Sequence, residues 1–370
     1  MTDQRGRDAA SPTEMPARGW LDVLKRSWRE MGQDNLSLIA AGVAFYAFTA
    51  MVPLLGAVVL TYGLIADPAA VMRHFQELSQ LLPGEAARLI GEQLMNVVNT
   101  AGSKKGLGLI LALALAFWGA TKATGAIVTA LNIAYEEEET RGFVKQTLIN
   151  LAMVLGAVLV LGVAMIAISV FSYLGRFFPG APAGLLLLGK LISWLMLAAI
   201  GAAAVATLYR YAPDRDAAKW RWLTPGSAFA AIGWGVLTAG FGLYVANFGN
   251  YNATYGSLGA VVVLLTWLYL SALVLLLGAE LNSELEHQTA RDTTRGAERP
   301  LGQRGAQMAD RVAPDEDGHA HDESPIGTPA PAARREETTS TLPYGLKVSE
   351  ALLILLLALI PSRRSAQPAE

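Results

Sequence analysis

The chain has 370 residues, 53% of them hydrophobic and only 16% charged, with a mean hydropathy of +0.36, whereas a soluble domain carries about a quarter charged residues. The surplus of apolar side chains requires lipid to bury it. A net charge of -2 provides no global positive field of the kind that holds nucleic acid, and zero cysteines exclude disulfides, thiolate metal sites and cysteine nucleophiles.

Residues 1–19 are polar and carry no apolar run of the kind found in a cleavable signal peptide, so they are expected to be a disordered N-terminus. Next, Trp20, Leu21, Leu24, Trp28 and Met31 share one helical face while Lys25, Arg26 and Arg29 lie elsewhere, the pattern of an interfacial helix. Six apolar runs follow that can each cross the roughly 30 Å hydrocarbon layer: about Leu36–Leu64, Leu107–Ile133, Thr147–Leu174, Gly184–Arg210, Pro225–Phe248 and Tyr255–Leu281. The predicted fold is therefore an all-α polytopic membrane bundle of about six transmembrane helices over residues 20–286. Ala231, Gly235 and Ala239 in the fifth span have the spacing that lets helices approach closely in lipid.

Lys and Arg in short loops mark the cytoplasmic side. Arg18, Lys25, Arg26 and Arg29 before the first span, Arg210, Arg215, Lys219 and Arg221 between the fourth and fifth, and Arg291, Arg295 and Arg299 after the sixth place both termini inside. The connection at 66–105 then lies outside and is expected to form a helical hairpin. Val71, Met72, Phe75, Leu78 and Leu82 make one apolar stripe, Pro83-Gly84 a break, and Leu89, Ile90, Leu94 and Val97 a second stripe. Such a hairpin lies on the outer membrane surface or caps the bundle. Residues 287–345 turn polar without periodicity and are expected to be a disordered cytoplasmic tail. Within 346–362, the decamer Ala351–Ile360 is too short to span, so a short interfacial or docked helix is expected there, before a disordered end at 363–370.

Few residues suggest chemistry. Lys122 lies within the second span, where a lysine is expensive unless paired or hydrated; it either snorkels to the inner interface or faces the bundle, where Glu280 is the obvious anion. Pro53 removes a hydrogen bond in the first span and is expected to kink it. Tyr46, Asn132, Tyr135, Tyr209, Tyr211, Tyr244 and Tyr255 gather at predicted helix ends, as interfacial residues do. Gly256 next to Tyr255 opens room where the sixth helix enters, or serves ordinary packing. Glu136–Glu139 beside Arg141 and Lys145 reads as a local ion-pair cluster. The histidines are too few and scattered for a hydrolytic metal site, and His319-Ala320-His321-Asp322 sits in the polar tail. There is no Gly-x-x-x-x-Gly-Lys loop and no Gly-x-Ser-x-Gly elbow. No catalytic residue, metal or cofactor is expected.

Several strings converge on one family: Ala40-Ala41-Gly42-Val43-Ala44-Phe45-Tyr46 through Val52-Pro53-Leu54, Leu131-Asn132-Ile133-Ala134-Tyr135-Glu136, Tyr209-Arg210-Tyr211-Ala212-Pro213, and Tyr255-Gly256-Ser257-Leu258-Gly259-Ala260 through Gly278-Ala279-Glu280-Leu281-Asn282. Over residues 20–286 they resemble the YihY/virulence factor BrkB family of bacterial inner-membrane proteins. The resemblance implies six helices with cytoplasmic termini. It carries over Tyr46, Pro53, Asn132, Tyr135, Glu136, Arg210, Pro213, Tyr255, Gly256, Glu280 and Asn282 as transport-path or gating candidates, beside Lys122, and Arg210, Glu136 and Glu280 are expected to tie three helix ends into one charged network. Family members are linked to envelope lipid biogenesis, so the expected role is a transporter or handler of lipids or other amphiphiles. The second expectation is a non-transporting scaffold for envelope-assembly partners. A membrane-bound ribonuclease, a label some members have carried, stands third. The expected partners are membrane lipids and further copies of the chain, with no nucleic acid.

Overall fold

The computed structural model describes residues 5–65, 107–177, 183–248 and 258–314, with isolated positions between 75 and 95. Among the described residues the chain is helical and has no strand, only a single antiparallel bridge between Ala218 and Thr294. The helices are α1 (Ala17–Gln33), α2 (Leu36–Ile65), α3 (Leu107–Ala134), α4 (Phe143–Phe177), α5 (Ala183–Tyr211), α6 (Trp220–Phe248), α7 (Leu258–Gln288) and the short α8 (Gln307–Asp310).

Each helix from α2 to α7 has 28 to 35 residues, about 42–52 Å at 1.5 Å per residue and longer than the hydrocarbon layer. Phe143–Ala164, Leu187–Tyr211, Trp220–Asn247 and Leu258–Gln288 are long and apolar enough to cross a membrane, and α1 with the first half of α2 adds a fifth candidate if that bent pair counts as one. Among the described residues there are thus four to five candidate spans, where the sequence reading expects about six. The remaining expected span, α3, forms a helix of 28 residues, and its described part includes the polar Lys122 and Asn132.

α1 and α2 meet at a 65° bend. Asn35 turns the chain there at φ +53, a left-handed conformation that asparagine tolerates, and its carbonyl accepts from Leu38 N and Ile39 N to start α2. The apolar stripe expected on α1 is divided. Gly19, Val23 and Ser27 form the buried seam against α7, while Leu21, Leu24 and Trp28 point away from the protein, Trp28 with 72% of its surface free. That outward stripe beside Lys25 and Arg29 suits an interfacial helix.

Each of α2 to α6 packs on its successor, and α7 returns to α2, so the six long helices close a ring in chain order, with α7 also touching α3. The main core lies at one end of this ring, where Leu36, Ala40, Leu131, Tyr135, Tyr209, Leu223, Leu276 and Ala279 interlock. A smaller cluster of Ala260, Leu264 and Trp267, with Phe48, Phe241 and Leu82 against it, lies near the start of α7. Leu82 packs the connection after α2 against that end, and the Phe75 ring lies 3.0 Å from the site of a Cβ on Gly91. The rest of that connection lies outside the described residues.

Two expectations of disorder are corrected. Residues 5–16 fold under α7: Ala9 and Met15 pack on Val23, Trp222, Leu281 and Leu285. Gln288 Nε2, Ala290 N and Thr289 Oγ1 donate to the carbonyls of Arg5, Arg7 and Ala9. Residues 289–313 are folded as well. Composition misleads here because polar groups hold this segment. The buried Arg304 guanidinium donates to the carbonyls of Ala290, Arg291, Arg299 and Ala309. Asp292 accepts from Thr294 and Arg299 N. The segment also pairs with the α5–α6 connection through Lys219 N to Thr293 O and Arg295 N to Ala217 O. Residues 315–345 and the apolar decamer Ala351–Ile360 lie outside the described residues.

The Ala231-Gly235-Ala239 stripe is not where α6 meets a neighbour most closely, since a Cβ on Gly235 would touch nothing within 4 Å. The close approach is about two and a half turns before Gly235. A Cβ on Gly226 would stand 2.0 Å from Gly278 O, and one on Gly278 would stand 2.5 Å from the Tyr209 hydroxyl. Glycine at both positions lets α6 and α7 cross backbone to backbone.

Candidate functional site

The N-terminal segment, the α3–α4 connection, the α5–α6 connection and the tail meet at the packed end of the ring, where most of the motif residues converge. Pro225 lacks an N–H for the first turns of α6, and Asn282 of α7 braces the backbone around it: its Oδ1 accepts from Gly226 N at 2.7 Å and its Nδ2 donates to Leu223 O at 3.1 Å. Tyr209 donates to Leu275 O at 2.5 Å and meets Tyr135 edge to face, ring centroids 6.5 Å apart. These contacts explain why the Asn282, Gly278 and Tyr209 strings stand where they do.

Asn132, at the end of α3, joins two connections. Its Oδ1 accepts from Asp214 N at 2.8 Å and its Nδ2 donates to Glu139 at 2.9 Å. Arg141 then bridges Glu139 at 2.6 Å, Asp214 at 3.5 Å and Ala212 O at 2.9 Å, which is the local ion-pair cluster expected from the acidic run. Hydrogen bonds from Arg141 hold the Glu139 carboxyl below its ordinary range. Burial pushes Asp214 up, but two hydrogen bonds from Thr140 and the Arg141 charge leave it lowered. Pro213 is buried in the bend after α5.

The expected network of Arg210, Glu136 and Glu280 is corrected. The Arg210 guanidinium donates to Ala218 O and stacks over Trp220 at 4.6 Å and Tyr211 at 5.5 Å, away from both carboxylates. The charges that join helix ends are others. Arg215 pairs with Glu286 at 2.6 Å, both buried, and lies over the Tyr135 ring at 4.9 Å; Arg26 of α1 pairs with Glu284 of α7. Arg215 figures in the sequence only as a topology marker, because its partner lies 71 positions away.

Lys122 and Glu280 form no ion pair, and this expectation is also corrected. Lys122 shares an exposed stripe of α3 with Leu115, Trp118 and Thr129, at spacings of three, four and seven residues that share a face, so no neighbouring helix covers it. Tyr46 is likewise not at a helix end. It lies ten residues into α2, half-exposed, its ring edge-on to Phe45 at 5.7 Å. α2 continues through Pro53, whose side chain lies outside the described residues, as do Tyr255 and Gly256.

Glu280 is 1% exposed, with no hydrogen-bond partner for Oε2, and it faces acidic groups. Glu284, Asp34, Glu30 and Glu136 are the charges that act on it. Glu30, Asp34 and Glu136 each offer a carboxylate oxygen within 4.8 Å of the others. Burial, then Glu136, Glu30 and Glu284, push the Asp34 carboxyl up to about 6. Glu136 holds φ +56 in the turn that ends α3, where Glu137 N reaches back to Asn132 O. Sequence reasoning picks out Glu136 and Glu280 and misses Glu30 and Asp34. The exposed, amphipathic α1 supplies an ordinary reason for acidic residues there, and only the 65° bend aims them at α3.

Comparison with known proteins agrees with the motif strings. The ribonuclease-like protein YfkH of Bacillus subtilis is 34% identical over 214 residues, 56% of this chain and 75% of that protein. A UPF0761 membrane protein of Methylibium petroleiphilum is 27% identical over 267 residues, covering 70% of this chain and 61% of its own length, and one of Laribacter hongkongensis is 28% identical over 265, covering 70% and 60%. The chain thus spans about three fifths of these two UPF0761 relatives. No solved structure matches it. The family described as Virulence factor BrkB matches residues 27–301, from α1 through α7 and into the folded tail, and the chain belongs to this family of membrane proteins.

Proposed function

We propose that this protein resides in the bacterial inner membrane with both termini in the cytoplasm, and that it moves or handles a lipid or other amphiphile through the loosely packed half of its helix ring. One observation supports the reading above others: the contrast between the two ends of the ring. Leu155, Gly156, Ala157, Val158 and Leu159 of α4 are consecutive and all exposed, and five residues sweep more than a full helical turn. In α5, Leu187, Leu188, Leu191, Ile192, Trp194, Leu195 and Met196 leave one broad face exposed. Apolar side chains free on every side of α4 are a surface that acyl chains in a bilayer can cover. The basic residues around the packed end, Arg18, Lys25, Arg29, Lys145 and Arg221 among them, support the cytoplasmic assignment of that end.

The test is flipping of fluorescent phosphatidylethanolamine and phosphatidylglycerol in proteoliposomes of the purified full chain. Faster flipping than in protein-free vesicles is expected. Absence of flipping with either lipid sinks the transport reading. It favours the scaffold, for which the folded polar surface at 289–313 is the supporting observation. The ribonuclease-like name of the Bacillus relative is met by incubating the same preparation with RNA and MgCl2, where no cleavage is expected.

A further inference from the structure

The packed end holds an acidic recess that the helix-bracing contacts do not use. Glu30 and Asp34 lie one turn apart at the C-terminal end of α1, and Glu136 comes from the turn after α3, so two elements bring three carboxylates together. Oxygens bound to one divalent ion at 2.0–2.6 Å lie about 3 Å apart when adjacent and about 4–5 Å when opposite, and the mutual 4.8 Å limit observed here fits one ion touching all three.

Positive charge is outnumbered in the recess. Arg26 is engaged by Glu284, where His287 also lies at 3.7 Å, and Arg29 Nε lies 3.6 Å from Glu30 on the open surface. The carboxyls of Glu30, Asp34, Glu136, Glu280 and Glu284 outnumber these arginines. A second observation, independent of the triad, points to a missing ligand. Glu280 is almost wholly buried and its Oε2 has no partner in the protein, although buried polar atoms are nearly always satisfied. Asp34, Glu30 and Glu136 are among the charges that act on it, so the orphaned carboxyl lies in the field of the same three groups.

We propose that Glu30, Asp34 and Glu136 form a divalent-cation site at the packed end, with Glu280 accepting a hydrogen bond from a water on the ion, and that the ion ties α1 and α3 to α7. Glu30 and Asp34 are half-buried and Glu136 is exposed, which leaves the ion several waters, the arrangement Mg²⁺ favours.

The test uses the full chain in a neutral detergent, stripped of metal with a chelator and titrated with MnCl2, free Mn²⁺ being followed by electron paramagnetic resonance. The wild type is expected to bind one Mn²⁺ per chain, displaced by MgCl2. Asp34→Asn and Glu136→Gln are expected to weaken binding about tenfold or more, while their melting temperatures in chelator match or exceed the wild type, because each removes a like charge from the recess. Absence of Mn²⁺ binding by the wild type overturns the proposal. So does equal binding by the Glu30→Gln/Asp34→Asn/Glu136→Gln triple variant, which would locate the ion elsewhere.

Discussion

Arg215 and Glu286 are almost wholly buried and 2.6 Å apart, so removing one partner strands the other's charge away from water. Arg215→Ala is expected to destabilise the protein by about 3–5 kcal/mol, and adding Glu286→Gln is expected to recover part of that loss. Thermal unfolding in detergent measures both. Gly278 is a steric case: a methyl group there collides with Tyr209, Gly226 and Ala230, and Gly278→Ala is expected to cost about 1–3 kcal/mol in the same assay. At this scale the sequence is legible in kind rather than in partnership. Gly278, Asn282, Tyr209 and Asn132 stand out as motif letters, but their roles depend on atoms far along the chain, such as Gly226 N for Asn282 and Asp214 N for Asn132. Lys122 shows the opposite failure. Depth in an apolar run suggests a buried ion pair, and only the exposure of its face of α3 shows that Lys122 is not packed against Glu280.

The connection of α3 to α4 is held to that of α5 to α6 by the Glu139–Arg141–Asp214 contacts. Both carboxyls are held below their ordinary range, the first chiefly by Arg141, the second by Thr140 and Arg141 against its burial. A carboxyl with a lowered pKa contributes stability above its unfolded value, and that contribution is lost as pH falls through the folded value. Residues 136–142 are therefore expected to show amide-exchange protection at neutral pH that collapses on acidification below about pH 4, whereas Arg141→Ala is already unprotected at neutral pH. Unchanged protection in that variant would remove the cluster's role. The long helices are legible because an apolar run of this length has one stable form in lipid, and the expected boundaries of most runs fall within a few residues of the helices. The tail is not legible: Arg304 and Asp292 supply internal partners that composition cannot reveal. Truncation after Gln288 is expected to lower the melting temperature and to release residues 5–16, whose carbonyls Ala290 N and Thr289 Oγ1 hold; limited proteolysis reads the release.

At the largest scale, the described helices α2 to α7 form a ring that is tightly packed at one end and open around α4 and α5 toward the other. The sequence predicts the order of the apolar segments, but not this asymmetry, because Leu155 and Leu276 are the same residue type and only one is buried. The zero-cysteine background makes site-directed labelling simple. Thr13→Cys and Glu298→Cys are both expected to react only with membrane-permeant maleimide in intact cells, which places the packed end in the cytoplasm; reaction with an impermeant reagent would invert that assignment. The account depends most on lipid surrounding α4 within the ring. Single cysteines at positions 155, 156, 157, 158 and 159, each carrying a fluorophore in bilayers that contain brominated lipid, measure this directly. Comparable quenching at all five positions is the predicted result. Quenching confined to one helical face, with the others protected, would contradict it and show that protein covers the side of α4 assigned here to lipid.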